Sequence, residues 1–69
     1  MYEFKLENGE FVELSRLLKF VGFCGSGGIS KAMIAQGRVT VDGQVELRKR
    51  CKIRTGQIVE FLGNKILVT

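Results

Sequence analysis

Sixty-nine residues, 45% of them hydrophobic, make one small domain and leave no room for a second. The chain has no His and only two Cys, so it lacks the commonest general base and cannot supply a four-ligand structural zinc site. Its net charge is +4, and no apolar stretch exceeds four residues, which excludes a membrane-spanning helix of about 20 residues.

Tyr2, Phe4 and Leu6 alternate with Glu3, Lys5 and Glu7, the pattern of a half-buried strand that ends at Asn8-Gly9. Leu14, Leu17, Leu18 and Val21 then recur at i, i+3, i+4 and i+7, the stripe of an amphipathic helix. Gly22 is placed to stop that helix in a left-handed turn, with Phe23 folding back onto it. Cys24-Gly25-Ser26-Gly27-Gly28 is a tight loop in which Ser26 can cap a second helix, running from about Gly28 to Gln36 with Ile29, Ala32 and Met33 on one face. After Gly37 the period becomes two. Val39 and Val41 lead to the turn Asp42-Gly43, and Val45 and Leu47 continue an apolar face. Thr55-Gly56 turns again, Ile58 to Phe61 is a strand, and Gly63-Asn64 returns it through Lys65 to Val68. The order predicts an α+β domain, two packed helices against a small, mainly antiparallel sheet, with all five Phe mostly in core-like positions.

Charge is distributed unevenly. Residues 1–13 carry four Glu against Lys5, whereas residues 14–54 carry nine Arg or Lys against Asp42 and Glu46. Within that stretch, residues 48–54 read R-K-R-C-K-I-R. If extended, they put Arg48, Arg50, Lys52 and Arg54 on one face at about 6.6 Å spacing, and Leu47, Cys51 and Ile53 on the other, with Lys49 the exception. Such a row suits a phosphate backbone. It also suits a solvated edge that resists strand-to-strand aggregation. Gly25 to Gly28, with Lys31 one turn on, place backbone N–H groups at a helix N-terminus, an anion-binding arrangement; close helix packing would explain the same glycines.

The segment from Val12 to Phe61 resembles the RNA-binding domain first described in bacterial small-subunit ribosomal protein four. Ile34, Gly37, Val39, Val41, Asp42 and Gly43 fill its I-x-x-G-x-V-x-V-[ND]-G pattern, and Gly56, Gln57 and Ile58 its G-[DQ]-x-[IV] turn. Ser26-Gly27 and the run Arg48 to Ile53 make the chain similar to the stand-alone YbcJ-like branch. The resemblance covers about fifty of the 69 residues, plus a leading strand. It implies a helix-loop-helix αL motif whose helices and adjoining loops form an RNA surface. By position it implicates Lys19, Lys31, Arg38, Arg48, Lys49, Arg50 and Lys52. Many relatives carry Ser-Arg where this chain has Gly27-Gly28, and Arg16 and Arg54 lie outside the family pattern and rank lower.

The expected function is therefore a non-catalytic RNA-binding module that reads backbone and shape in structured RNA, such as ribosomal or transfer RNA. No catalytic residue, metal or cofactor is expected, and neither a membrane nor a small-molecule substrate. With no Trp and one Tyr, stacking on a broad aromatic platform is not favoured. The acidic, alternating N-terminus is unlike a secretory signal, so a cytoplasmic monomer with Cys24 and Cys51 as free thiols is expected. The rival reading is a protein-interaction adaptor docking through its helix pair.

Overall fold

The computed structural model describes every residue except Asn8 and Phe23. The elements run β1 (Tyr2–Phe4), β2 (Val12–Glu13), α1 (Leu14–Phe20), α2 (Gly27–Ala35), β3 (Val39–Val41), β4 (Gln44–Val45), β5 (Lys52–Ile53), β6 (Ile58–Phe61) and β7 (Asn64–Val68). One five-stranded sheet has the order β1-β7-β6-β3-β4, antiparallel except for the parallel pair β1 and β7. A separate ribbon pairs β2 with β5, Val12 opposite Ile53 and Glu13 opposite Lys52.

Alternation decides which face of the sheet is covered. Val59 and Phe61 of β6, with Ile66 and Val68 of β7, are buried, while their neighbours Ile58, Glu60 and Leu67 are only partly covered. The helices bury Leu14, Leu17 and Leu18 from α1 and Ile34 from α2 into the same cluster, which Val12 and Ile53 of the ribbon complete. Each such aliphatic side chain contributes about 1.5–3 kcal/mol through removal from water.

The inward face of α2 differs from the expected one. Ser30 and Ile34, four residues apart, are fully buried, whereas Ile29 and Ala32 are exposed and Met33 is partly covered. The small Ser30 can be buried because its hydroxyl donates to the carbonyl of Gly27 at 3.0 Å. Four other expectations are corrected. β1 stops at Phe4, and Leu6 instead donates its N–H to the carbonyl of Thr69. The last hairpin turns at Leu62-Gly63, both with positive φ, so Asn64 already belongs to β7. Val45 and Leu47 are exposed rather than continuing the core. Among the phenylalanines, Phe61 is buried and Phe4 partly so, but Phe11 and Phe20 face outward. The expected fold-back of Phe23 and the turn at Asn8 lie outside the described residues.

Gly22 and Gly37 end the two helices with φ of 83° and 75°, as expected of left-handed stops. Asp42 and Gly43, at φ 51° and 86°, form the expected hairpin turn. Cys24 and Cys51 are free thiols. Among the described residues no helix is long and apolar enough to cross a membrane.

Candidate functional site

The basic run does not form the expected alternating row. Arg48 to Cys51 is a turn, closed by the Cys51 N–H donating to the Arg48 carbonyl at 3.1 Å, and only Lys52–Ile53 is strand. The turn is held by α1. Glu13, the residue preceding that helix, makes no side-chain cap. Two of the N–H groups that a helix leaves unpaired at its start are instead taken by the turn: Leu14 donates to the carbonyl of Cys51 at 2.9 Å, and Ser15 to that of Lys49 at 3.1 Å. The β2–β5 ribbon continues the same attachment.

This anchoring brings residues distant in sequence into one cleft of about 220 Å³. Lys19 of α1, Lys31 of α2 and Arg50 of the turn line it, joined by Arg16, which the family pattern does not mark. The signal for Arg16 was available: it lies three residues before Lys19, on the same side of α1. Glu13 lines the cleft too, 3.7 Å from Arg16 and 3.9 Å from Arg50. Gly27, the first residue of α2, lies at the positive end of that helix.

The glycine loop adds a second feature. Ser26 caps α2, its hydroxyl accepting the Ile29 N–H at 3.3 Å. Gly25, Gly27 and Gly28 do not have positive φ. Among the described residues, a Cβ at Gly27 would meet nothing within 4 Å, and at Gly25 or Gly28 it would make only ordinary contact. Neither backbone strain nor close helix packing therefore requires these glycines. What they do is leave the start of α2 open to approach from outside.

The other expected residues are placed differently. Arg48 is held by Glu46, with Nε to Oε2 at 3.0 Å and Nη2 to Oε1 at 3.1 Å, and its backbone N–H donates to the same carboxylate. The side-chain bonds from Arg48, then its backbone bond, pull the Glu46 carboxyl down to about 2. Arg48 with Lys49, Arg50 and Lys52 surrounds a wider cleft of about 700 Å³ over the turn. Lys52 stands over the Phe11 ring, its Nζ 4.9 Å from the centroid, and the Arg54 guanidinium lies 5.8 Å from the same ring. Arg38 lines neither cleft; its Nε donates to the Gln36 side chain at 2.9 Å. Burial pushes the Cys24 and Cys51 thiols up, away from a reactive thiolate. Among the described residues no group of His, Cys, Asp or Glu could hold a metal ion.

Comparison with known proteins bears on this arrangement. Residues 4–69 match the family model of the S4 domain. YbcJ of Escherichia coli K12 is 50% identical over 68 residues, which are 99% of this chain and 97% of YbcJ. YbcJ of Shigella flexneri shows the same identity and coverage. The solution structure of the Escherichia coli protein, described as revealing an αL motif involved in RNA binding, aligns with a TM-score of 0.77 at 49% identity. That alignment covers 100% of this chain and 87% of that one.

Proposed function

Since the chain belongs to the S4 domain family, we propose that it is a non-catalytic RNA-binding module whose primary contact is the cleft between α1, α2 and the basic turn. The observation that carries this reading is the convergence of Arg16, Lys19, Lys31 and Arg50 on one cleft beside Gly27. Cations from three separate elements at one place suit successive phosphates, and the bare start of α2 offers backbone N–H donors to the same anion. Lys49 and Lys52 extend the surface over the turn. Arg48 is exposed and lines the same wider cleft, but its pairing with Glu46 makes it a weaker contact, and Arg38 sits outside both clefts. Phosphate contacts carry no base information, so this cleft reads backbone and shape. The similarity to YbcJ, whose structure is linked to RNA binding, supports RNA over DNA. The free thiols and the unbroken core suit a cytoplasmic monomer.

The test is binding of a structured RNA hairpin across a salt series, followed by fluorescence anisotropy. Four contacts with single-stranded loop phosphates at about 0.7 each give a slope of log K against log salt near −2.8. The Lys19→Ala, Lys31→Ala double variant is expected to lower the steepness by about 1.4, and Lys65→Ala, on β7, to leave it unchanged. Binding by all three proteins that is equal and insensitive to salt would refute the reading and favour a protein-docking role for the helix pair.

A further inference from the structure

Next to the cationic cleft lies an apolar groove that the phosphate contacts do not use. It measures about 520 Å³, within the range of about 300–1,000 Å³ that small ligands occupy, and Phe4, Leu6, Phe11, Val12 and Phe20 form its apolar lining. The rings of Phe4 and Phe20 stack nearly parallel, centroids 6.0 Å apart and planes 4° from each other. Phe20 is nonetheless 61% exposed, so much of its ring is open. The groove continues into the cationic cleft: Phe11 and Phe20 share a side pocket with Arg16 and Arg50, and both arginines also line that cleft.

We propose that this groove receives an unpaired base of the RNA, stacked on Phe20, while the flanking phosphates lie on Arg16 and Arg50. The inference rests on the RNA-binding reading above and adds a preference for RNA containing single-stranded nucleotides. Glu7 and Glu10 outnumber Lys5 in the lining, and Lys52 and Arg54 stand only at its Phe11 edge, so the uncharged base enters the groove and the phosphates stay at Arg16 and Arg50. A base offers a flat π-face to an aromatic ring whatever its identity, so the site selects unpaired structure rather than sequence.

The chain has no Trp, so Phe20→Trp installs a lone indole at the site. Its emission is expected to be quenched by a hairpin with an unpaired loop and little changed by a fully paired duplex of equal length. Phe20→Ala is expected to weaken hairpin binding about tenfold with an unchanged salt slope, and Phe20→Tyr to restore it. Melting temperatures of the variants show that each is folded. Salt-dependent binding by Phe20→Ala equal to wild type, with no quenching in Phe20→Trp, would overturn this inference and leave the phosphate cleft standing. Dimerisation of the wild type that Phe20→Ala abolishes would overturn it in favour of a contact between two copies. Absence of salt-dependent RNA binding in the wild type would refute the underlying function itself.

Discussion

Glu13 has the wrong sign for a residue in a phosphate-binding cleft, and its removal is expected to strengthen binding. Its half-buried carboxylate lies 3.7 Å from the exposed Arg16 and 3.9 Å from the exposed Arg50. A phosphate on the outer side of those guanidinium groups would be about 7 Å from the carboxylate, a repulsion of about 0.6 kcal/mol in water. Glu13→Gln removes that repulsion and frees both arginines, so affinity for structured RNA is expected to rise about threefold at low salt. The gain should shrink towards physiological ionic strength, where the screening length is about 8 Å. Stability should fall by less than about 1 kcal/mol, because exposed ion pairs contribute little and the backbone pairing of Glu13 with Lys52 is untouched. Anisotropy titrations at low and high salt, with melting curves as a control on folding, measure both effects. A folded Glu13→Gln protein that binds no more tightly than wild type at low salt would refute the placement of phosphate beside these arginines.

Gly43→Val forces a β-branched residue to φ 86° where a Cβ would meet nothing, so the cost is conformational. A penalty of about 1–2 kcal/mol should lower the melting temperature by at least about 4 °C while leaving the RNA salt slope unchanged; an unaltered melting temperature would contradict the turn geometry. Ile34→Ala opens a cavity at a fully buried position and is expected to cost about 2–5 kcal/mol in urea unfolding. That is a large share of the roughly 3–10 kcal/mol available to a chain of this size, and a loss below 1 kcal/mol would show that α2 does not pack as described. Because the folded Glu46 carboxyl is held down at about 2, its contribution to stability is complete above the ordinary value of 4.5 and is lost as pH falls through about 2. In an NMR titration Glu46 should protonate at lower pH than in Arg48→Ala; coincident curves would mean that the pair does not form in solution.

Local pattern located the two helices and the first hairpin of the sheet because they are bounded by residues with a strong conformational preference, whereas the two-residue strands of the β2–β5 ribbon carry no such signal. The stripe Leu14, Leu17, Leu18 marks α1, Ser26 caps α2, Gly22 and Gly37 end the helices, and Asp42-Gly43 joins β3 to β4. Residues 48–54 were misleading for a physical reason. Their alternation is compatible with a strand, but the N–H groups of Leu14 and Ser15, more than thirty positions away, draw the carbonyls of Lys49 and Cys51 into a turn. No local count contains that partner. The same distance hid the assembly of the cleft: Lys19, Lys31 and Arg50 are each marked by family position and Arg16 lies one turn from Lys19 on α1, but only packing of the turn on α1 brings Arg50 to them. The inward face of α2 was misjudged because hydrophobicity favours Ile29 over Ser30, while the hydroxyl bond to Gly27 makes Ser30 acceptable inside. Phe11 and Phe20 sit at core-like positions in the sequence; exposed aromatic rings are distinguishable from buried ones only once their neighbours are known.

The turn is fastened to α1 through main-chain atoms: two peptide N–H groups on one side and two peptide carbonyls on the other. These four groups do not depend on which side chains the turn displays, apart from proline at position 51, which would remove the N–H that closes the turn; the exposed Arg50 side chain adds only a weak ion pair to Glu13. Lys49 and Arg50 can be exchanged for other residues while the scaffold that presents them stays in place. This separates display from support, so selection or a designed library could vary the ligand preference of the turn with little cost in folding. A peptide loop grafted between residues 48 and 51 would inherit a fixed orientation relative to α1, provided its backbone can form the same turn.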